Sequence, residues 1–160
     1  PQTQINHADI RTRFIFDDMP VRGLHVRLEN VWKHIVGQKH YPAAIRRALG
    51  ELLAAGALLS GNLKTDGTLI VQVQGQGRLK MLVVEATSDQ TVRATARWDE
   101  TAEINDDESL TDLLGSNSVF VLTLQPKDAE PWQGVVPLEG SSIAQMLINY
   151  TKRSEQLDTQ

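Results

Sequence analysis

The chain has 160 residues, of which 41% are hydrophobic and 22% charged, the balance of one globular domain able to bury a core without metals or crosslinks. A net charge of −4 and the absence of cysteine argue against a nucleic-acid partner or an anionic membrane surface. They also exclude a disulfide framework, a thiolate nucleophile and a cysteine zinc site within these residues.

The opening PQTQINHADIRTR is polar, has no signal-peptide character and reads as a frayed or edge element. Phe14, Ile15 and Phe16 form a short apolar run that Asp17, Asp18 and Pro20 end. From Val21 the pattern alternates, with Leu24, Val26 and Leu28 on one side and His25, Arg27 and Glu29 on the other, which is strand geometry. Asn30 is the expected N-cap of a short helix through Val31, Trp32 and Ile35, stopped by Gly37. Pro42 opens a longer helix. Ile45, Ala48, Leu49, Leu52 and Leu53 stripe one face, and beyond Leu52 no polar residue appears for two turns. A helix apolar all round is covered from several directions. The run Leu52 to Leu59 is the longest apolar one and is far too short to span a bilayer, so a soluble, cytoplasmic protein is expected.

Gly61 and Asn62 stop that helix, and Asp66-Gly67 turns into strands over Leu69 to Gln74 and Leu79 to Glu85, joined by Gly75-Gln76-Gly77. The second strand has Leu79, Met81 and Val83 against Leu82 and Val84, so a central position in the sheet or cover on both faces is expected. Thr91 to Trp98 alternates as a half-buried strand, residues 99 to 108 form an acidic loop, and Ser109 caps a short helix that Gly115 ends. Val119 to Leu124 is a strand stopped by Pro126. Gln133 to Leu138 is another, placed at an edge or bulge by Pro137. A final helix after Ser142 carries the stripe Ile143, Met146, Leu147 and Tyr150, with Lys152 and Arg153 toward its C-terminal end. The expected fold is an α+β domain over residues 1–160, mainly antiparallel sheet packed around a buried central helix.

No catalytic set emerges. Gly75-Gln76-Gly77 is followed by a strand where a dinucleotide loop needs a helix. Lys64-Thr65-Asp66-Gly67 departs from a Lys-Thr-Gly element at its aspartate. His7, His25, His34 and His40 lack metal-ligand spacing, and the acidic loop lacks the calcium pattern. Trp98 and Trp32 read as core residues and Trp132 as the least constrained tryptophan. An enzyme would require Lys64, Asp66, Arg93 and Arg97 to converge in one pocket.

Six blocks in order resemble the heat shock protein 33 family: Val21-Arg22-Gly23, YPAAI from Tyr41, ELLAAGALLSGNLKTDGTLIVQVQGQG from Glu51, RATARW from Arg93, QGVVPLEG from Gln133 and YTKRSEQL from Tyr150. Arg78 departs from the pattern, where the family has proline. The resemblance implies a non-catalytic, ATP-independent holdase: an N-terminal core that binds unfolded client proteins and forms a homodimer in the cytoplasm, with no nucleic-acid or membrane partner. It implies a C-terminal region with four cysteines around zinc, whose oxidation releases the metal. None of those cysteines is in this chain, so no cofactor is expected here, and a fragment without the redox switch is expected. A holdase needs apolar surface of its own. Ile143, Met146, Leu147 and Tyr150 are taken as the candidate client or dimer interface. Packing in the domain's own core is the better account of Ile143 and Leu147. The remaining alternatives are a dimerisation module without client binding and an enzyme of unidentified class.

Overall fold

The computed structural model describes residues 9–157, with side chains as far as Lys152. The first eight residues of the polar opening and the Arg153 side chain lie outside the described residues. Two strands, β1 (Asp9–Ile15) and β2 (Arg22–Leu28), form an antiparallel hairpin. Helices α1 (Glu29–Gln38) and α2 (Ala43–Ser60) follow. Next come β3 (Gly67–Gln74), β4 (Leu79–Thr87), β5 (Val92–Trp98), the short helix α3 (Leu110–Leu114), β6 (Val119–Pro126), β7 (Trp132–Pro137) and α4 (Ile143–Leu157). The five later strands make one antiparallel sheet in the order β5-β4-β3-β6-β7. The α+β architecture read from periodicity is the architecture observed.

Alternation along each strand sorts its side chains to two faces. Register places Leu69, Val71 and Val73 of β3 beside Leu82 and Val84 of β4 and beside Phe120 and Leu122 of β6. These residues are buried in a single core with Ile45, Leu49, Leu52 and Leu53 of α2. Helix α2 also touches β2, α3 and α4, which accounts for a helix with no hydrated face beyond Leu52. A Cβ on Gly56 would lie 2.7 Å from Val84 Cγ1, so the missing side chain sets how closely the helix approaches the sheet.

Local signals act in several places as expected. Ser109 Oγ accepts from the Asp112 N–H at 3.1 Å, and Gly115 adopts φ +73° to end α3. Pro137 closes the edge strand β7.

Two expectations need correction. Helix α1 starts at Glu29, so Asn30 is not its N-cap; the Asp9 carboxylate, arriving from β1, accepts from the Asn30 and Val31 N–H groups at 2.9 and 3.3 Å. Gly37 lies inside α1, because nothing within 4 Å crowds it and the helix runs on to Gln38. In β4 the register shifts between Leu79 and Met81. The extra residue turns Leu79 to the core face with Leu82, while Met81 and Val83 stay half-buried on the other. Strand β4 is central, between β5 and β3, as one of the two expected placements has it, and its second face is partly covered.

Candidate functional site

The described helices pack on the sheet face that carries Leu69, Val71, Val73, Leu82 and Val84. The opposite face presents Ile70, Met81, Val83 and Val119, all half-buried, and Val135, which is 56% exposed. Six of the polar side chains on this face bond sideways to one another. Arg93 pairs with Glu85 at 2.7 Å, Gln74 donates to Gln72 Oε1 at 2.8 Å, and Gln133 donates to Thr123 Oγ1 at 2.9 Å. Side chains that satisfy each other this way leave the aliphatic surface between them free to meet a partner without stranding a polar group.

A second apolar surface stands on the hairpin. Phe14, Ile15, Phe16, Met19 and Val21 are all exposed, Ile15 by 76%. The Phe14 and Phe16 rings meet edge to face with centroids 5.7 Å apart. Phe14 also lies across Gly23, where any Cβ would collide with its ring. The reading of the sequence missed this surface as a site. Its signal was the Phe-Ile-Phe run in an otherwise polar stretch, closed by an acidic proline turn.

The stripe proposed on the last helix divides. Ile143 and Met146 are buried in the domain's own core. Leu147 and Tyr150 pack against that core while staying partly accessible. Tyr150 meets Phe120 at 5.7 Å between ring centroids, and burial raises its phenol pKa. Beside them Ile148 is exposed, as is Trp132 on β7. Trp98 is half-buried against the core with its ring tilted on that of Tyr41, and the Lys39 ammonium lies 4.2 Å from its ring.

The four groups an enzyme would need do not meet in one pocket. Asp66 lines an open depression of about 450 Å³ with Thr87, Asp89 and Lys127. Arg93 lines a different groove, beside His34 and Gln38. The carboxylates of Asp89 and Asp99 are held below the usual range by hydrogen bonds within their own turns, chiefly from the Thr87 and Thr101 hydroxyls. Such groups stabilise turns and are poor general bases. The acidic loop is not wholly solvated. Arg78 pairs with Glu108, whose side chain is 10% exposed, and also donates to the Glu103 carbonyl at 2.9 Å. The chain has no cysteine. Among the described residues no group of three or more histidine, aspartate or glutamate side chains could hold a metal. The zinc implied by the resemblance has no ligands in these residues. No helix among the described residues is long and apolar enough to cross a membrane.

Residues 9–160 match the family described as Hsp33 protein. The chain is 87% identical over 158 residues to a 33 kDa chaperonin of Neisseria meningitidis, covering 99% of this chain and 52% of that protein. A 33 kDa chaperonin of Chromobacterium violaceum is 50% identical over 157 residues. The crystal structure of a 33 kDa chaperonin from Thermotoga maritima superposes with a TM-score of 0.81 at 23% identity, over 94% of this chain and 52% of that one, a likeness of fold. The chain spans about half the length of the curated relatives it matches. With the family match running from the first described strand through the last helix, the chain belongs to the Hsp33 protein family.

Proposed function

We propose that this chain is the polypeptide-binding core of an ATP-independent holdase, which keeps unfolded or aggregation-prone proteins dispersed under heat and oxidative stress in the cytoplasm. The observation that carries this reading is the aliphatic face of the five-stranded sheet, on which Val135 is exposed, Ile70, Met81, Val83 and Val119 are half-buried, and several polar side chains bond to each other. Exposed apolar surface is what a protein needs to hold non-native chains, and family membership supports the same reading. In this proposal no side chain makes or breaks a bond, and neither nucleic acid nor membrane is a partner. Redox control and zinc belong to the cysteine-bearing region of the longer relatives. The core is a homodimer, and Leu147 and Tyr150, with Ile148 beside them, contribute to a client or dimer interface.

The test is light scattering from a heat-unfolding client protein with increasing amounts of this chain. Suppression of scattering at near-stoichiometric amounts is the expected result. Full aggregation at every ratio would sink the holdase reading. A second reading, a dimerisation module that holds no client, draws on β7, an edge strand without a charged residue that exposes Trp132 and Val135. Sedimentation separates the two: that reading requires a dimer that is inert in the scattering assay.

A further inference from the structure

Among the described residues eight large apolar side chains are exposed, and five of them crowd into residues 14–21 at the end of one hairpin. The hairpin is firmly held at its other end. Leu28 packs against the core, Leu24 lies against Gly61 at the end of α2, Arg13 donates to the Gly61 carbonyl, and Asp9 caps α1. The tip beyond these anchors is shaped by its own backbone: the Phe16 N–H donates to the Val21 carbonyl at 3.0 Å. The tip is thus an apolar arm on a fixed stem, on the helix side of the sheet and apart from the aliphatic sheet face.

Area decides what such an arm can hold. An aromatic side chain offers roughly 150–250 Å², so two phenylalanines and three smaller aliphatic side chains, each roughly half exposed or more, present on the order of 500 Å² at most. A stable pair of proteins needs roughly 800 Å² from each partner, which the tip does not supply to a second copy. Its charges are of both signs, with Asp17 and Asp18 in the turn and Arg22 opposite Ile15, so no single charge pattern is selected. Methionine, here Met19, is a flexible side chain that adapts to varied apolar shapes. We infer that the hairpin tip is a client contact in its own right, gripping short extended apolar segments of non-native polypeptides while the sheet face holds another part of the same chain. This rests on the holdase reading above.

The experiment uses the whole 160-residue chain and a reduced, carboxymethylated lactalbumin as a permanently unfolded probe, with binding followed by fluorescence anisotropy. The tip variant is Ile15→Ser, Phe16→Ser and Met19→Ser together, leaving Phe14 in place over Gly23. The comparison variant is Val135→Lys on the sheet face. Loss of three apolar contacts weakens probe binding by at least about fivefold in the tip variant, with the unfolding midpoint unchanged. Unaltered binding by the tip variant would overturn the tip while the holdase reading stood, and failure of the unsubstituted chain to bind would overturn both. A shift from dimer to monomer in the tip variant would mark a contact between copies and also overturn the proposal. Should the triple variant fail to fold, Ile15→Ser alone, at the most exposed of the five positions, gives the same comparison.

Discussion

The run Leu52 to Leu59 in α2 and the run Phe14 to Phe16 at the end of β1 have similar apolar character, yet Leu52 is fully buried and Ile15 stands in water. The difference lies in what surrounds them. Helix α2 has the sheet beneath it and β2, α3 and α4 around it, so each of its turns removes apolar surface from water on more than one side. The hairpin is only two strands wide, and Phe14, Ile15, Phe16, Met19 and Val21 near its tip are exposed. Apolarity gives a segment the means to bind something. Whether that something is the protein's own core or another molecule depends on whether the topology brings a second layer over it.

The largest effect that tests this contrast is in the core. Leu52→Ala removes a fully buried side chain and should cost about 2–5 kcal/mol. Ile15→Ser, at a more apolar-looking but exposed position, should change stability by no more than about 0.5 kcal/mol. Urea unfolding at constant m-value measures both. A loss above about 2 kcal/mol for Ile15→Ser would mean that the tip packs against the domain, and the contrast would collapse. Gly77→Ala comes next. Its Cβ would lie 2.4 Å from the Leu113 carbonyl oxygen, a backbone atom that cannot swing aside, so α3 must shift from the β3–β4 connection at about 1–3 kcal/mol. A variant as stable as the parent would show that this side of the core yields as freely as the hairpin.

The fold was largely legible because most elements carry local signals. Val92 to Trp98 alternates, Ser109 and Gly115 bracket α3, and Pro137 sits where an edge strand tolerates it. Several features depend on residues distant in sequence and leave no local signal. Asp9 caps a helix that starts twenty residues later, and Glu51 of α2 accepts the Ile143 N–H at the start of α4. The bulge that turns Leu79 inward follows from pairing with β5. The site was less legible than the fold. A stripe on an amphipathic helix looks alike whether it meets its own core or a partner, and only the packing placed Ile143 and Met146 inside. Likewise, nothing in Phe14-Ile15-Phe16 tells how far a hairpin reaches.

The joint between the two regions gives the next smaller effect. Asp9 belongs to the hairpin and α1 belongs to the core layer, so its carboxylate cap ties one to the other. Asp9→Ala should cost about 1 kcal/mol, the usual value of a lost cap. Helical circular dichroism and the urea midpoint should both fall slightly. If the hairpin were an independent appendage, native-state hydrogen exchange would speed up in β1 and β2 alone. A tied hairpin loses protection in α1 as well.

The smallest effect concerns the same joint under acid. Glu29, the first residue of α1, accepts from Lys33 at 2.8 Å and from Arg27 of β2 at 2.7 Å. These hydrogen bonds, Lys33 first, lower its pKa. A carboxylate whose folded pKa lies below its unfolded value stabilises the fold above the unfolded pKa, and that contribution disappears as pH falls through the folded one. The unfolding midpoint of the parent should therefore drop on acidification below the ordinary glutamate range by slightly more than that of Glu29→Gln. Because the pair is exposed and screened by salt, the difference should shrink when sodium chloride is raised. A difference that persists in high salt would mean that Glu29 is sheltered from solvent where the hairpin meets α1.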